Sequence, residues 1–171
     1  MSNQVNPVKS DQERRIDDAR RAFWLKWLML TALGWALGWV LASWHYNMAM
    51  GLFVGLAQWY ALRNIIPQPM RWVIVTTIGW LAATLIIVAG VLIQPGSGLY
   101  AGAFTGLIIG LLQWYTLFSF GQKASWWPFA SAVAWMFGMI GFLGDMFIGA
   151  FVGAITGGAL LWIIGDKVLD D

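Results

Sequence analysis

Long uncharged runs alternate with short polar segments along most of the chain. The runs at 72–93 and 99–120 contain 22 residues each and no charged side chain. A helix needs about 20 such residues to cross the roughly 30 Å hydrocarbon core of a membrane. Four further uncharged runs cover 27–44, 47–62, 125–143 and 146–165. The pattern predicts an all-α, polytopic membrane protein with six transmembrane helices.

Composition favours the same class of protein. The 171 residues are 60% hydrophobic and 11% charged, with a mean hydropathy of +0.68, whereas about one quarter of a typical soluble domain is charged. The sequence contains no cysteine. Disulfides, thiolate nucleophiles and thiolate metal sites are therefore excluded.

Lysine and arginine fall on one side of the six predicted spans. Six bases precede or enter span 1, and the others are Arg63, Arg71, Lys123 and Lys167. Since the alternate connections carry none, the positive-inside rule predicts that both termini are cytoplasmic. The expected location is a bacterial cytoplasmic (inner) membrane or a thylakoid-type membrane. One-sided bases account for the pI of about 9.2, so nucleic acid is not a predicted partner.

A helix start precedes the first span. Ser10 is followed by Glu13, which is a capping-box pattern. The helix that begins there is expected either to lie in the membrane interface or to extend span 1 into the cytoplasm. The predicted organisation is a disordered segment over 1–9, this helix over 10–26, a six-span membrane domain over 27–165 and a cytoplasmic tail over 166–171.

One glycine and glutamine pattern occurs twice. Residues 51–63 read "GLFVGLAQWYALR" and residues 106–118 read "GLIIGLLQWYTLF". At 100° per residue, the two glycines and the glutamine of each copy share one helix face. Glycines four residues apart let two membrane helices approach closely. The pattern predicts helix packing at Gly51, Gly55, Gly106 and Gly110.

Span 6 is predicted to carry a weaker third copy of this pattern. Gly158 would be its second glycine, and Leu161, followed by Trp162, would replace the glutamine. Spans 1, 3 and 5 carry tryptophan pairs eight residues apart, at Trp27 and Trp35, Trp72 and Trp80, and Trp127 and Trp135. The repeat unit is therefore a helical hairpin. Copies over about 22–66, 70–120 and 124–165 predict a pseudo-threefold bundle.

Tryptophan is abundant, with 13 residues. Most of them are expected in belts at the two membrane interfaces. The exceptions lie deeper in the predicted spans and are expected to pack beside small residues. These exceptions are Trp35, Trp80, Trp114 and Trp135.

The first hairpin carries a G-x-x-x-G-x-x-Q-W-x-x-L-R segment from Gly51 to Arg63, followed by Trp72 and Gly79-Trp80. This arrangement resembles uncharacterised multi-span membrane proteins of cyanobacteria and related bacteria, which have repeated GxxxGxxQW and GW hairpins. The second copy departs from the pattern, with Phe118 at the position of Arg63. The resemblance implies a multi-span helical protein and no particular activity.

Four polar residues are candidates for function. Gln58 and Gln113 are predicted to form interhelical hydrogen bonds, and the alternative is that they line a polar cavity or ligate a pigment or an ion. His45 is expected to be an interfacial polar residue or a cofactor ligand. Asp145 is expected to cap the start of span 6 or to contribute to an entrance for cations.

Enzyme chemistry is not predicted. Catalysis inside a membrane needs a nucleophile with a base, a carboxylate pair or a metal cluster, and the predicted spans contain none of these. No catalytic residue, metal site or cofactor is predicted, although a bound lipid or pigment stays open. The favoured function is a non-enzymatic membrane scaffold or accessory protein that acts through helix packing and partner binding.

The alternatives are a facilitative channel or carrier for a neutral or apolar small solute, and a pigment- or lipid-binding membrane protein. The expected partners are the lipid bilayer and either other membrane proteins or further copies of the chain in a homo-oligomer.

Overall fold

The structure, a computed structural model, describes residues 10–42, 49–88, 98–139 and 147–165. Within these ranges the regular structure is entirely helical. The α-helices are α1 (Asp11–Ala42), α2 (Met50–Leu62), α3 (Pro69–Val88), α4 (Gly98–Leu117), α5 (Trp127–Gly138) and α6 (Ile148–Ile164). Two short 3₁₀ helices, Phe118–Phe120 and Gln122–Trp126, connect α4 to α5. The predictions for His45, Asp145, 1–9 and 166–171 lie outside the described residues.

A reciprocal cap starts α1. The Ser10 backbone N–H donates to Glu13 Oε2 at 2.8 Å, and the Glu13 backbone N–H donates to Ser10 Oγ at 3.3 Å, so the capping box is confirmed. The helix then continues unbroken for 32 residues, about 48 Å. The N-terminal segment is therefore continuous with the helix of the first predicted span.

The six α-helices form a closed ring. Each helix packs against the next one in the chain, and α6 packs against α1. Small residues on the facing sides allow these contacts, as at Gly34, where an added Cβ would lie 2.8 Å from Phe53 O of α2. Every helix therefore has two neighbours, and its remaining face is directed outward.

Within the described ranges, three helical segments are long and apolar enough to cross a membrane: Asp11–Leu41, Pro69–Ile87 and Gly98–Phe120. The α2 and α6 helices are shorter apolar helices. Large apolar side chains also cover the outside of the ring, and Met29 and Phe129 are each 64% exposed. A surface of this kind is stable in contact with lipid and unfavourable in water. Length, composition and surface together indicate a membrane protein.

Two layers of three tryptophans fill the centre of the ring. The first triad consists of Trp27, Trp72 and Trp127, whose ring centroids lie 5.5 to 6.5 Å apart. These rings are at most 1% exposed. The interfacial position expected for most tryptophans is therefore wrong for this triad, because its three rings pack against one another instead of facing lipid headgroups.

The second triad lies eight residues further along each of α1, α3 and α5, which is about 12 Å of helix. It consists of Trp35, Trp80 and Trp135, with centroids 5.3 to 5.8 Å apart. Small residues directly precede all three of these tryptophans, at Gly34, Gly79 and Ala134, and all three are buried. The expected packing of these tryptophans beside small residues agrees with the structure, since Gly149, Gly51 and Gly102 lie against Trp35, Trp80 and Trp135, respectively.

Candidate functional site

A layer of buried polar side chains lies between the two triads. It contains two glutamines and four hydroxyl groups, and each side chain is at most 4% exposed. Polar groups at such depth are stable only when they are hydrogen-bonded, because neither water nor lipid can satisfy them there. The members of this polar layer are Thr31, Gln58, Thr76, Gln113, Ser131 and Thr156.

Gln113 of α4 connects two neighbouring helices. Its Oε1 accepts a hydrogen bond from Trp127 Nε1 of α5 at 3.0 Å. Its Nε2 donates to Thr76 Oγ1 of α3 at 2.8 Å. The Thr76 hydroxyl in turn donates to the backbone oxygen of Trp72 at 2.7 Å. The amide therefore uses both its acceptor and its donor to join α3, α4 and α5.

Gln58 of α2 makes the equivalent pair of bonds one hairpin earlier. Its Oε1 accepts from Trp72 Nε1 of α3 at 2.9 Å, and its Nε2 donates to Thr31 Oγ1 of α1 at 3.3 Å. Both glutamines thus bond to the helix before and to the helix after their own. Together they link α1 to α5 through side-chain hydrogen bonds.

The third place in the layer belongs to Thr156 of α6. Trp27 Nε1 of α1 donates to Thr156 Oγ1 at 3.0 Å, and this hydroxyl donates to the Val152 backbone oxygen at 2.6 Å. The prediction that Leu161 stands in for the glutamine is therefore wrong. The expected register of span 6 is displaced by five residues, because the side chain that meets the tryptophan is Thr156.

Glycines on one face of each of α2, α4 and α6 lie against the helix that follows in the ring. A Cβ at Gly51 would lie 2.5 Å from Trp80 Cβ of α3, and one at Gly110 would lie 2.8 Å from Pro128 Cα of α5. Cβ atoms at Gly55 and Gly106 would also meet α3 and α5, respectively. These four predicted packing glycines therefore all lie at helix contacts.

Gly158 is a correction to the predicted set. It is exposed, and nothing lies within 4 Å of a Cβ placed there, so its predicted packing role is wrong. Glycines of α6 that do contact α1 include Gly149 and Gly153, seven and three residues before Thr156. This spacing matches the two glycines and the glutamine of α2 and α4.

The hydroxyl groups of the polar layer were not predicted from the sequence. Thr31, Thr76 and Ser131 each lie four residues after the first-triad tryptophan of their own helix. That offset places the hydroxyl on the same helix face as the ring, one turn further along. The regular spacing was present in the sequence, but threonine and serine are too common in membrane helices to draw attention without the fold.

The polar layer supplies hydrogen bonds for helix association. Both glutamines have partners for their oxygen and their nitrogen. The buried side-chain polar atom that lacks a partner among the described residues is the Thr105 hydroxyl. The described ranges also contain no group of three or more His, Cys, Asp or Glu side chains that could hold a metal ion.

No family model, curated protein or solved structure matches the chain. The resemblance to cyanobacterial multi-span proteins stays a prediction. The structural facts that bear on function are the filled centre, the hydrogen-bonded glutamines and the apolar outer surface.

Proposed function

We propose that this protein is a non-enzymatic scaffold or accessory protein of a membrane, built from six transmembrane helices in a pseudo-threefold bundle. The observation that carries the proposal is the packed centre of the ring. Two tryptophan triads occupy it, and Gln58, Gln113 and Thr156 of the polar layer between them accept hydrogen bonds from the first triad. Such a core rigidifies a bundle and leaves the outer surface as the part available to partners.

The membrane placement is supported by the distribution of polar and apolar groups. The interior holds Gln58 and Gln113, at 4% and 3% exposed, whereas Leu85 on the outside is 59% exposed. This distribution is the one expected where lipid surrounds the helices, because polar side chains then seek partners inside the bundle. The bases Arg63, Arg71 and Lys123 lie where helices end, which is consistent with cytoplasmic termini.

The threefold arrangement is supported by a contact that recurs around the ring. The glycine face of α2 packs on α3, that of α4 packs on α5, and that of α6 packs on α1. At each contact a first-triad tryptophan donates its indole N–H to the polar residue of the glycine helix. Three successive hairpins with the same orientation explain this repeated contact more simply than three unrelated packing arrangements would.

The filled centre favours a scaffold over a conduit. A solute moving along the bundle axis would have to pass between rings whose centroids lie 5.3 to 5.8 Å apart in the second triad. Ring pairs at this spacing are in van der Waals contact. Both glutamines would also have to exchange satisfied bonds for contacts with the solute. The structure therefore gives specific support to packing and none to the channel or carrier alternative.

The outer surface is the proposed region for partners. Exposed aromatic side chains lie around the α4–α5 connection, with Phe118 at 68%, Trp126 at 61% and Phe129 at 64%. Aromatic residues at the ends of membrane helices anchor the protein at the interface and also provide contact area for other helices. Other membrane proteins, or further copies of this chain, are the partners proposed, in a bacterial inner membrane or a thylakoid-type membrane.

Flux measurements distinguish the scaffold from the conduit. The wild type and the double variant Gln58→Leu/Gln113→Leu are reconstituted in liposomes at matched folded fraction, and glycerol efflux is followed by light scattering. A scaffold gives the efflux rate of empty liposomes in both cases, and its native complexes keep their size in the variant. Wild-type efflux that disappears in the variant would overturn the proposal, because it would show a path that depends on the amides.

A further inference from the structure

Two cationic side chains share one aromatic ring in a groove between α1 and the end of α2. Lys26 Nζ lies 5.4 Å from the centroid of the Tyr60 ring, and Arg63 Cζ lies 4.3 Å from it. Asn64 also lines the groove and contributes an amide. None of the eight residues that line this groove is acidic. We call this the Lys26–Arg63 groove.

The positive charges of Lys26 and Arg63 make this groove suited to bind an anion. Like charges on one ring repel each other, and the Tyr60 face offsets only part of that cost, since cation–π contacts at exposed sites contribute about 0.5–1 kcal/mol. A phosphate group satisfies both bases at once, because a guanidinium binds two of its oxygens and an ammonium acts as a point charge. The groove measures about 220 Å³, which is room for a phosphodiester group.

The surroundings of the groove indicate that this phosphate belongs to a lipid. Leu33 and Leu37 follow Lys26 along the same face of α1 and are 54% and 45% exposed. On α2, Leu56 lies one turn before Tyr60 and is 37% exposed. An apolar surface thus continues from the groove along both helices. A headgroup in the groove would place its acyl chains on this surface, whereas a free phosphate ion would leave it unused.

Two other grooves place this end of the bundle at headgroup level. One contains Arg71 and Tyr115. In the other, Lys123 Nζ lies 5.7 Å from the centroid of the Trp162 ring. Bases and amphipathic aromatic rings together are typical of the interfacial region of a membrane protein. Basic pockets between helices on the cytoplasmic side are suited to anionic headgroups.

We propose that the Lys26–Arg63 groove binds the phosphate of an anionic phospholipid headgroup from the cytoplasmic leaflet. The inference goes beyond the proposed scaffold function. It relies only on the membrane placement and on this end facing the cytoplasm, so lipid binding can fail while the scaffold stands, and the reverse also holds.

The test compares the wild type with Lys26→Gln/Arg63→Gln in detergent micelles that contain phosphatidylglycerol. The number of lipids retained is measured by native mass spectrometry. Each base near an anionic surface contributes roughly a fivefold factor in affinity, so the double variant should retain phosphatidylglycerol with roughly 30-fold lower affinity. The matched control is Arg14→Gln/Arg15→Gln, which removes the same charge from the exposed start of α1 and should bind as the wild type does.

Two further arms identify the source of the phosphate. Phosphatidylcholine, which is zwitterionic, should be retained weakly by all variants, and inorganic phosphate should not displace phosphatidylglycerol from the wild type. If the double variant fails to fold, the single variants should each show roughly a fivefold loss. Equal retention by wild type and groove variants, an equal loss in the Arg14/Arg15 control, or displacement by inorganic phosphate would each overturn the assignment.

Discussion

The bond between Gln113 and Trp127 offers a quantitative test of the polar layer. Gln113→Leu removes the acceptor of the indole N–H and the donor to Thr76, both inside a layer where Gln113 is only 3% exposed. Interhelical hydrogen bonds in membranes average about 0.6 kcal/mol and reach about 1.7. The two lost bonds therefore predict a destabilisation of about 1–3 kcal/mol, which is also the usual cost of one buried donor without a partner.

Trp127→Phe removes the other side of the same bond and some packing in the first triad. If the bond itself is responsible, the double variant Gln113→Leu/Trp127→Phe should be less destabilised than the sum of the single variants. The expected coupling is about 1 kcal/mol, within the range found for residues in direct contact. The assay is reversible unfolding in mixed detergent micelles, followed by circular dichroism because the tryptophan content changes.

Thr77→Val provides the control for this cycle. The Thr77 hydroxyl donates to the Val73 backbone oxygen within the same helix at 2.8 Å, so its removal breaks a hydrogen bond inside α3 and not one between helices. Thr77→Val should change the free energy of unfolding by at most about 0.5 kcal/mol, and this change should be additive with the change caused by Trp127→Phe. Strict additivity between Gln113→Leu and Trp127→Phe would refute the conclusion that the amide and the indole act as a pair.

Two further predictions concern α6 and topology. Gly149→Ala should destabilise the protein by about 1–3 kcal/mol, since its methyl group overlaps a tryptophan of α1, whereas Gly158→Ala in the same helix should be neutral or slightly stabilising. Thermal unfolding in detergent measures both, and equal effects would contradict the register in which α6 packs on α1. Reporter fusions at Lys9 and after Asp171 should report the cytoplasm and a fusion at Ser97 the opposite side; termini on opposite faces would exclude six spans.

Helix positions and the faces of the glutamine helices could be predicted because both depend on local periodicity. The uncharged run 47–62 contains α2 at Met50–Leu62, and 146–165 contains α6 at Ile148–Ile164. Within each copy, 100° per residue places glycine and glutamine on one face whatever the rest of the fold does. A polar side chain on a small-residue face then has a neighbouring helix as its nearest partner.

The first triad could not be predicted in this way, because its position depends on how three distant helices meet. Trp27 and Trp72 directly follow Lys26 and Arg71 in the sequence. In sequence alone, a tryptophan next to a base at the end of an apolar run is typical of an interfacial belt. Only closure of the ring turns these side chains toward the axis, where a bond to a side chain of another helix satisfies each indole N–H.

The register error in α6 has a physical explanation that also accounts for its departure from the other two copies. Trp162 imitates the tryptophan that follows each glutamine, but the residue that follows Thr156 is Gly157. A Cβ at Gly157 would lie 2.9 Å from the Trp27 ring, so α1 and α6 can approach more closely than a tryptophan there would permit. In this contact the hydroxyl of Thr156 reaches the indole N–H of Trp27 at 3.0 Å, and the longer amide is unnecessary.

A second bond supports this view of the α1–α6 contact. Trp24 Nε1 donates to the Ala154 backbone oxygen at 3.0 Å, and a side chain can reach a helix carbonyl in this way only where two helices lie close together. Thr156 in place of glutamine and Gly157 in place of tryptophan therefore both fit α6 to the same close contact with α1. It follows that Thr156→Gln would overfill this contact, even though glutamine is the residue found at positions 58 and 113. Loss of the glutamine in α2 or α4 alone, in contrast, leaves an indole N–H unsatisfied.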